Sequence, residues 1–191
     1  MKPFSKQELL ALLIIFSVLI AITAPNFVLS LKRARDQVRR DDLGAMQHAM
    51  DEYLSDFGEF PRSAPDGKII ACKAPGSTVG VDKKGRLIVD LIPCVWGKDS
   101  WVDLTPGSTK VYLQVIPGDP ATPKGTGYLY ISDGAMYQLF ASMEGKKEPE
   151  YDGKIAIRNL PCGNQICNVG RYYVCATDKT IQSCEEEAAR R

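Results

Sequence analysis

The chain has 191 residues, 45% of them hydrophobic and 25% charged, with a formal net charge of +1. That balance excludes a mainly disordered chain, and the near-neutral charge, shared by the first 58 residues and by the remainder, argues against a generic nucleic-acid binder, so no specific nucleic acid is predicted. With some thirty N-terminal residues committed to an apolar segment, the rest suffices for one head domain.

The first element in chain order is a long helix over residues 4–58. From Leu9 to Leu31 no residue is charged, and at about 1.5 Å per residue this run can cross a hydrocarbon layer of about 30 Å. A cleaved secretory signal is the rival reading, but the run exceeds a usual signal core and Pro25-Asn26-Phe27 lacks a small-x-small cleavage pattern. A buried core helix is the second rival, and a helix without a polar face has few places to hide in a chain this size. Pro25 removes the hydrogen bond to the Ala21 carbonyl, which predicts a local kink or melt, with Thr23 and Asn26 available to soften it.

Beyond Leu31 the pattern turns amphipathic. Ala34, Val38, Leu43, Met46, Ala49, Met50, Tyr53, Leu54 and Phe57 recur at helical spacing and should pack on the head, leaving Arg39, Arg40, Asp41, Asp51, Glu52 and Asp56 on polar faces. Gly58 and Pro61 end the helix, at a length of about 80 Å. Residues 59–160 form a globular αβ head. Within it, 68–71 and 86–89 read as strands or extended arms, and 127–131 and 136–141 read as an antiparallel pair joined by a turn at Ser132-Asp133-Gly134-Ala135. Residues 161–191 form a cysteine-rich segment with short apolar runs at 155–157 and 172–175 near it, and 185–191 read as a solvated tail.

The fold class is therefore α+β: a long N-terminal helix, half transmembrane and half amphipathic, packed on a small antiparallel β-sheet head stapled by disulfides. Cys72, Cys94, Cys162, Cys167, Cys175 and Cys184 all lie in the head. No C-x2-C pattern or second histidine accompanies them, so three disulfides in an oxidising compartment are favoured over zinc. Pairing of sequence neighbours is the simplest of the fifteen connectivities open to six cysteines. The cations Lys32, Arg33, Arg35, Arg39 and Arg40 follow the span while Lys2 and Lys6 precede it, which by itself would place the head in the cytoplasm. The cysteines override this, because disulfides do not persist there. His48 reads as a polar-face or head-contact residue, and Tyr128, Tyr130, Tyr137 and Phe140 read as core and sheet. No nucleophile elbow or acid–base constellation stands out, so the chain is read as a non-enzyme.

The start, Phe4-Ser5-Lys6-Gln7-Glu8-Leu9-Leu10, resembles the mature N-terminus of type IV pilins and type II secretion pseudopilins, where an aromatic first residue is followed four positions later by glutamate and then by a long apolar helix. The same register sets Pro25 on the family's helix-breaking proline. The helix exit at Tyr53 and Gly58-Glu59-Phe60-Pro61, and the later Tyr112-Leu113-Gln114-Val115-Ile116-Pro117-Gly118-Asp119-Pro120 with Tyr128-Leu129-Tyr130, are similar to the corresponding stretches of major pseudopilins. The resemblance implies a subunit of a type IV pilus-like or pseudopilus filament that assembles as a helical homopolymer through Phe4, Glu8 and Pro25. A minor pilin or membrane-anchored adhesin is the alternative.

It further implies a prepilin peptidase that cuts before Phe4 and methylates the new amine, an inner-membrane platform protein and an assembly ATPase. The subunit would be a single-pass membrane protein with its head outside the cytoplasm, then part of a periplasmic or extracellular filament. A carboxylate at the edge of a hydrocarbon layer calls for a cation, and in the family the partner of glutamate is the first-residue amine of a neighbouring subunit. Pro3 stands where family precursors carry glycine, and residues 1–3 would be the leader. Left uncut, the chain would need Lys2, Lys6 or the Met1 amine to neutralise Glu8. Some related heads hold calcium on loop oxygens, which makes Asp119, Asp133, Asp152, Glu144 and Glu148 candidate ligands, although no EF-hand loop is present; no other cofactor is implied.

Overall fold

A computed structural model describes residues 5–83 and 87–190. Pro3, Phe4 and the candidate leader lie outside the described residues, as do Gly85 and Arg86 at the edge of the expected second arm.

One continuous helix, α1 (Lys6–Phe57), opens the chain. Gly58 ends it in the left-handed conformation (φ 75°), where only glycine is free of a Cβ penalty, and donates its N–H to the Leu54 carbonyl at 2.8 Å. The head then runs through β1 (Ile70–Lys73), β2 (Gly80–Val81), β3 (Leu87–Ile88), β4 (Leu91–Pro93), β5 (Trp101–Val102) and β6 (Val111–Leu113). After a single 3-10 turn at Thr122–Lys124 come β7 (Leu129–Ser132), β8 (Tyr137–Ala141) and the short helix α2 (Gly153–Ile157). The chain closes with β9 (Pro161–Cys162), β10 (Gln165–Ile166), β11 (Val169–Tyr173) and α3 (Ile181–Ala189).

The central sheet has the order β11-β8-β7, antiparallel throughout. The pair expected over 127–141 is its β7–β8 hairpin, closing at Ser132 opposite Tyr137. Asp133 shapes the turn by accepting from the Ala135 and Met136 amides, both at 2.8 Å. Burial works to raise the Asp133 pKa, yet these two amides hold it below the ordinary value. Four two-stranded antiparallel pairs, β1–β4, β2–β3, β5–β6 and β9–β10, decorate the sheet. The expected arms at 68–71 and 86–89 correspond to β1 and β3, each paired with a short neighbour rather than with the other.

The core lies between α1 and the sheet. Leu43, Met46, Ala49 and Met50 meet Trp101, Tyr130, Tyr137 and Leu139, all buried. Tyr128 and Phe140 are buried as well. Every residue of β8 is buried, including Gln138. Its amide nitrogen donates to the Ala176 and Lys179 carbonyls at 2.7 and 2.9 Å, and its oxygen accepts from Arg158 at 3.1 Å, so this central-strand polar group is satisfied and pins the C-terminal loop.

The sulfurs pair as the neighbour rule expects: Cys72–Cys94, Cys162–Cys167 and Cys175–Cys184. The first closes a span of 22 residues and the second one of 5. Loop-closure entropy then makes the first worth about 3 kcal/mol and the second about 2 kcal/mol. Removing Cys72–Cys94 with paired serines should therefore lower the unfolding free energy by about 3 kcal/mol and exceed the loss from removing Cys162–Cys167, as measured by denaturant titration. Equal losses would show that denatured-state loop length is not what these bonds act on.

Expectations at both ends of the chain need refining. Residues 185–190 are exposed, as a solvated tail requires, yet the segment is helical through Ala189: Thr180 caps α3, its hydroxyl accepting from the Ser183 amide at 3.1 Å, and Cys184 holds its first turns to Cys175. The apolar stripe of α1 also begins later than expected, because Ala34 and Val38 are exposed and the buried seam runs through Asp36, Arg39, Leu43, Met46 and Met50. Arg39, expected on a polar face, is 1% exposed.

Candidate assembly helix and its junction with the head

Residues 5–34 are exposed along their whole length, and this part of α1 is long and apolar enough to cross a membrane. Leu, Ile, Val and Phe side chains face outward all round, from Leu9 to Leu31. So continuous an apolar surface is built to be covered by lipid or protein, not water. Its first turn carries a capping box: the Ser5 hydroxyl accepts from the Glu8 amide at 3.3 Å while the Glu8 carboxylate accepts from the Ser5 amide at 2.7 Å. The Glu8 carboxylate also lies where the helix dipole favours a negative charge.

Pro25 sits inside α1, and the helix passes through it without interruption, so of the kink or melt expected there the melt is absent. The polar side chains around it are already satisfied one turn back. Thr23 Oγ1 donates to the Leu19 carbonyl at 2.8 Å, Asn26 Nδ2 to the Ile22 carbonyl at 3.3 Å and Ser30 Oγ to the Asn26 carbonyl at 2.9 Å. Proline thus costs one ladder bond while its neighbours bring no unmet polar group into an apolar medium.

Just beyond the apolar half, a buried ionic cluster joins α1 to the head. Arg39 donates to Asp119 through Nε (2.7 Å) and Nη2 (3.0 Å), a two-pronged contact, and to Asp36 through Nη1 (2.7 Å). Asp36 also accepts the Glu144 and Gly145 amides at 2.9 and 3.0 Å, and Asp119 the Ala121 amide at 2.7 Å. Burial opposes the charged form of Arg39, but the bonds to Asp119 and Asp36 outweigh it and raise its pKa. Around this centre Arg35 grips Glu144 (Nη2–Oε2 2.7 Å), Arg40 pairs with Glu148, and Arg171 reaches Glu150 at 3.0 Å. The hydrogen bond from Arg35 is the chief reason that Glu144 titrates below the ordinary range.

Two more contacts tie the helix farther along. Asp42 accepts from the Tyr128 hydroxyl at 2.5 Å, and Asp56 accepts from both Lys110 Nζ and the Tyr112 hydroxyl at 2.6 Å. The head is thus fastened near residues 36–40, at 42 and again at 56, with the aliphatic seam between. A pull along α1 would be carried into the head by charge-assisted bonds as well as by packing.

The residues singled out by the sequence meet different fates. Glu8 lies in the capping box and Pro25 within an intact helix; the six cysteines form their three bonds. The calcium candidates form no common site, although Asp119 and Glu144 both reach Arg39. Asp119 and Glu144 serve Arg39 and Arg35, Glu148 serves Arg40, Asp133 shapes a turn, and Asp152 caps α2 through the Lys154 amide at 2.8 Å. Among the described residues no group of three or more His, Cys, Asp or Glu is placed to hold a metal ion. His48 is exposed, 3.2 Å from Glu52.

The buried pair of Asp36 and Arg39 was missed by hydrophobicity, although its spacing continues the 3-4-3-4 seam of Leu43, Met46 and Met50. Comparisons with protein-family profiles, with characterised proteins and with solved structures each return no match.

Proposed function

We propose that the chain is a structural subunit of a type IV pilus-like or pseudopilus filament, anchored in a membrane through the apolar half of α1 before assembly and polymerising through that same helix. The observation that carries the reading is the contrast within α1: one half is wholly exposed and apolar, and the other is fastened to the head at several heights. A helix so arranged holds a folded head at a fixed distance from whatever covers its apolar end. The residue register at Glu8 and Pro25 favours covering by identical helices in a filament over lipid alone. On this reading a prepilin peptidase, a platform protein and an assembly ATPase are the partners, and the head faces an oxidising compartment that suits its disulfides.

A second reading is a minor pilin or tethered binding module, in which the helix only anchors. It is favoured by the exposed run Tyr172, Tyr173 and Val174, where Val174 is 70% exposed and holds φ +67°, a conformation costly for a β-branched residue. Abundance separates the two. Electron microscopy and mass spectrometry of filaments sheared from the native cells should find this chain as the dominant component of a thin helical fibre. Its absence from filaments, with the chain confined to membranes, would sink the structural reading.

A further inference from the structure

Beside the junction lies an open groove of about 660 Å³, walled by Lys32, Lys124, Lys146, Thr126, Ser142 and Asn164 among others. Its charge is lopsided. Among the described residues neither Lys32, Lys124 nor Lys146 has a carboxylate partner, whereas the one acid on the wall, Glu144, is already engaged by Arg35 and Arg39. A cleft lined by unpaired charge of one sign concentrates counter-ions of the other.

A second observation points to a ligand. Thr126 and Ser142 are each only 7% exposed, line the groove, and make no side-chain hydrogen bond among the described residues. Nearby polar groups are different: Asn168 exchanges two bonds with the Met143 backbone, and Asn164 donates to the Lys124 carbonyl. The Thr126 and Ser142 hydroxyl oxygens are not sealed inside the protein, so the pair presents unengaged donors on the groove wall.

Position supplies the remaining clue. Lys32 follows directly on the uncharged run that ends at Leu31, so with α1 inserted in a membrane the groove opens at the depth of the lipid headgroups. We propose that this groove binds a phosphoryl anion, with Lys32, Lys124 and Lys146 neutralising it and the Thr126 and Ser142 hydroxyls donating to its oxygens. The headgroup of an anionic phospholipid is the source its position favours, and free phosphate is the other. The inference rests on membrane insertion of α1 and does not require polymerisation.

The test uses the full chain in neutral detergent micelles, titrated with phosphatidylglycerol, phosphatidylcholine or inorganic phosphate and followed by native mass spectrometry and fluorescence. Phosphatidylglycerol should be retained and phosphatidylcholine not, and K124Q/K146Q should weaken retention about tenfold or more. The control K73Q/K98Q, which removes the same charge elsewhere, should leave it unchanged, and S142A should weaken it without altering net charge. Saturable binding of inorganic phosphate with the same dependence on Lys124, Lys146 and Ser142 would also support the site and assign it a soluble ligand. Equal weakening by both lysine pairs, preference for a polyglutamate peptide, or no saturable binding of either phosphoryl probe would overturn it. Carbonate extraction of cell membranes reports insertion separately, so a chain that washes out yet still binds phosphatidylglycerol in micelles would retain the groove and lose the membrane reading.

Discussion

Replacing Arg39 with alanine should lower the unfolding free energy of the chain by about 3–5 kcal/mol, the range for removing one partner of a buried ion pair. The cause is less the lost attraction than what stays behind. Asp36 and Asp119 would remain buried with their charges uncompensated, holding only the amides of Glu144, Gly145 and Ala121. Against a total stability of about 5–15 kcal/mol, such a loss is large. The companion D36N/R39M/D119L removes all three buried charges, keeps an acceptor for the Glu144 and Gly145 amides, and should recover a good part of it, since a buried ionic cluster exchanged for neutral volume is often close to neutral. Denaturant unfolding of the full chain in detergent, followed by near-ultraviolet circular dichroism, measures both. A loss below about 1 kcal/mol for R39A would mean that water enters the junction and that the cluster is no clamp.

That cluster also marks how far the sequence could be read. The hairpin of β7 and β8 was legible because Tyr, Ile, Leu and Phe runs flank Asp133-Gly134, whose side chain and freedom suit a tight turn. The lower stripe of α1 was legible because Leu43, Met46 and Met50 announce a buried face by composition. Asp36 and Arg39 occupy the same face two turns and one turn earlier, but a hydrophobicity pattern assigns charged residues to solvent, and Asp119, the second partner of Arg39, lies 80 residues away from it.

The short strands were illegible for a related reason. Elements of two or three residues such as β2, β5 and β9 are held by pairing with an equally short neighbour, and β9 also by a cross-link, and carry too few residues to show a period of their own. At the opposite end of the chain, α3 was obscured by its polarity: Glu185, Glu186 and Glu187 read as tail, while the Thr180 cap and the Cys175 tether that hold the helix are single residues. The proposed assembly residues were legible only in part. Register singled out Glu8 and Pro25, but local hydrogen bonds in the isolated chain satisfy the carboxylate and keep the proline turn helical, so any role between subunits has to be separated from capping by substitution.

Three variants make that separation. Ser5→Ala removes the hydroxyl that accepts from the Glu8 amide and leaves the carboxylate in place; it should cost the helix end about 1 kcal/mol and leave filament formation intact. Glu8→Gln keeps a side-chain oxygen able to accept from the Ser5 amide, because glutamine serves in a capping box, but carries no charge. If Glu8 only caps the helix, Glu8→Gln should assemble normally and Glu8→Ala should resemble Ser5→Ala. If Glu8 pairs with a cation of the neighbouring subunit, Glu8→Gln and Glu8→Ala should both reach the membrane at wild-type levels and lose filaments about tenfold or more, since an ion pair at the edge of an apolar medium is worth several kcal/mol. The reading by electron microscopy of sheared material is then paired with the N-terminal mass of the subunit. A chain beginning at Phe4 supplies its own first-residue amine as the cation, whereas an intact Met1 assigns that role to the Met1 amine, Lys2 or Lys6. In that second case neutralising both lysines should reproduce the Glu8→Gln defect if a lysine supplies the cation and leave assembly intact if the Met1 amine does, while the cut and the uncut chain make the same demand on Glu8.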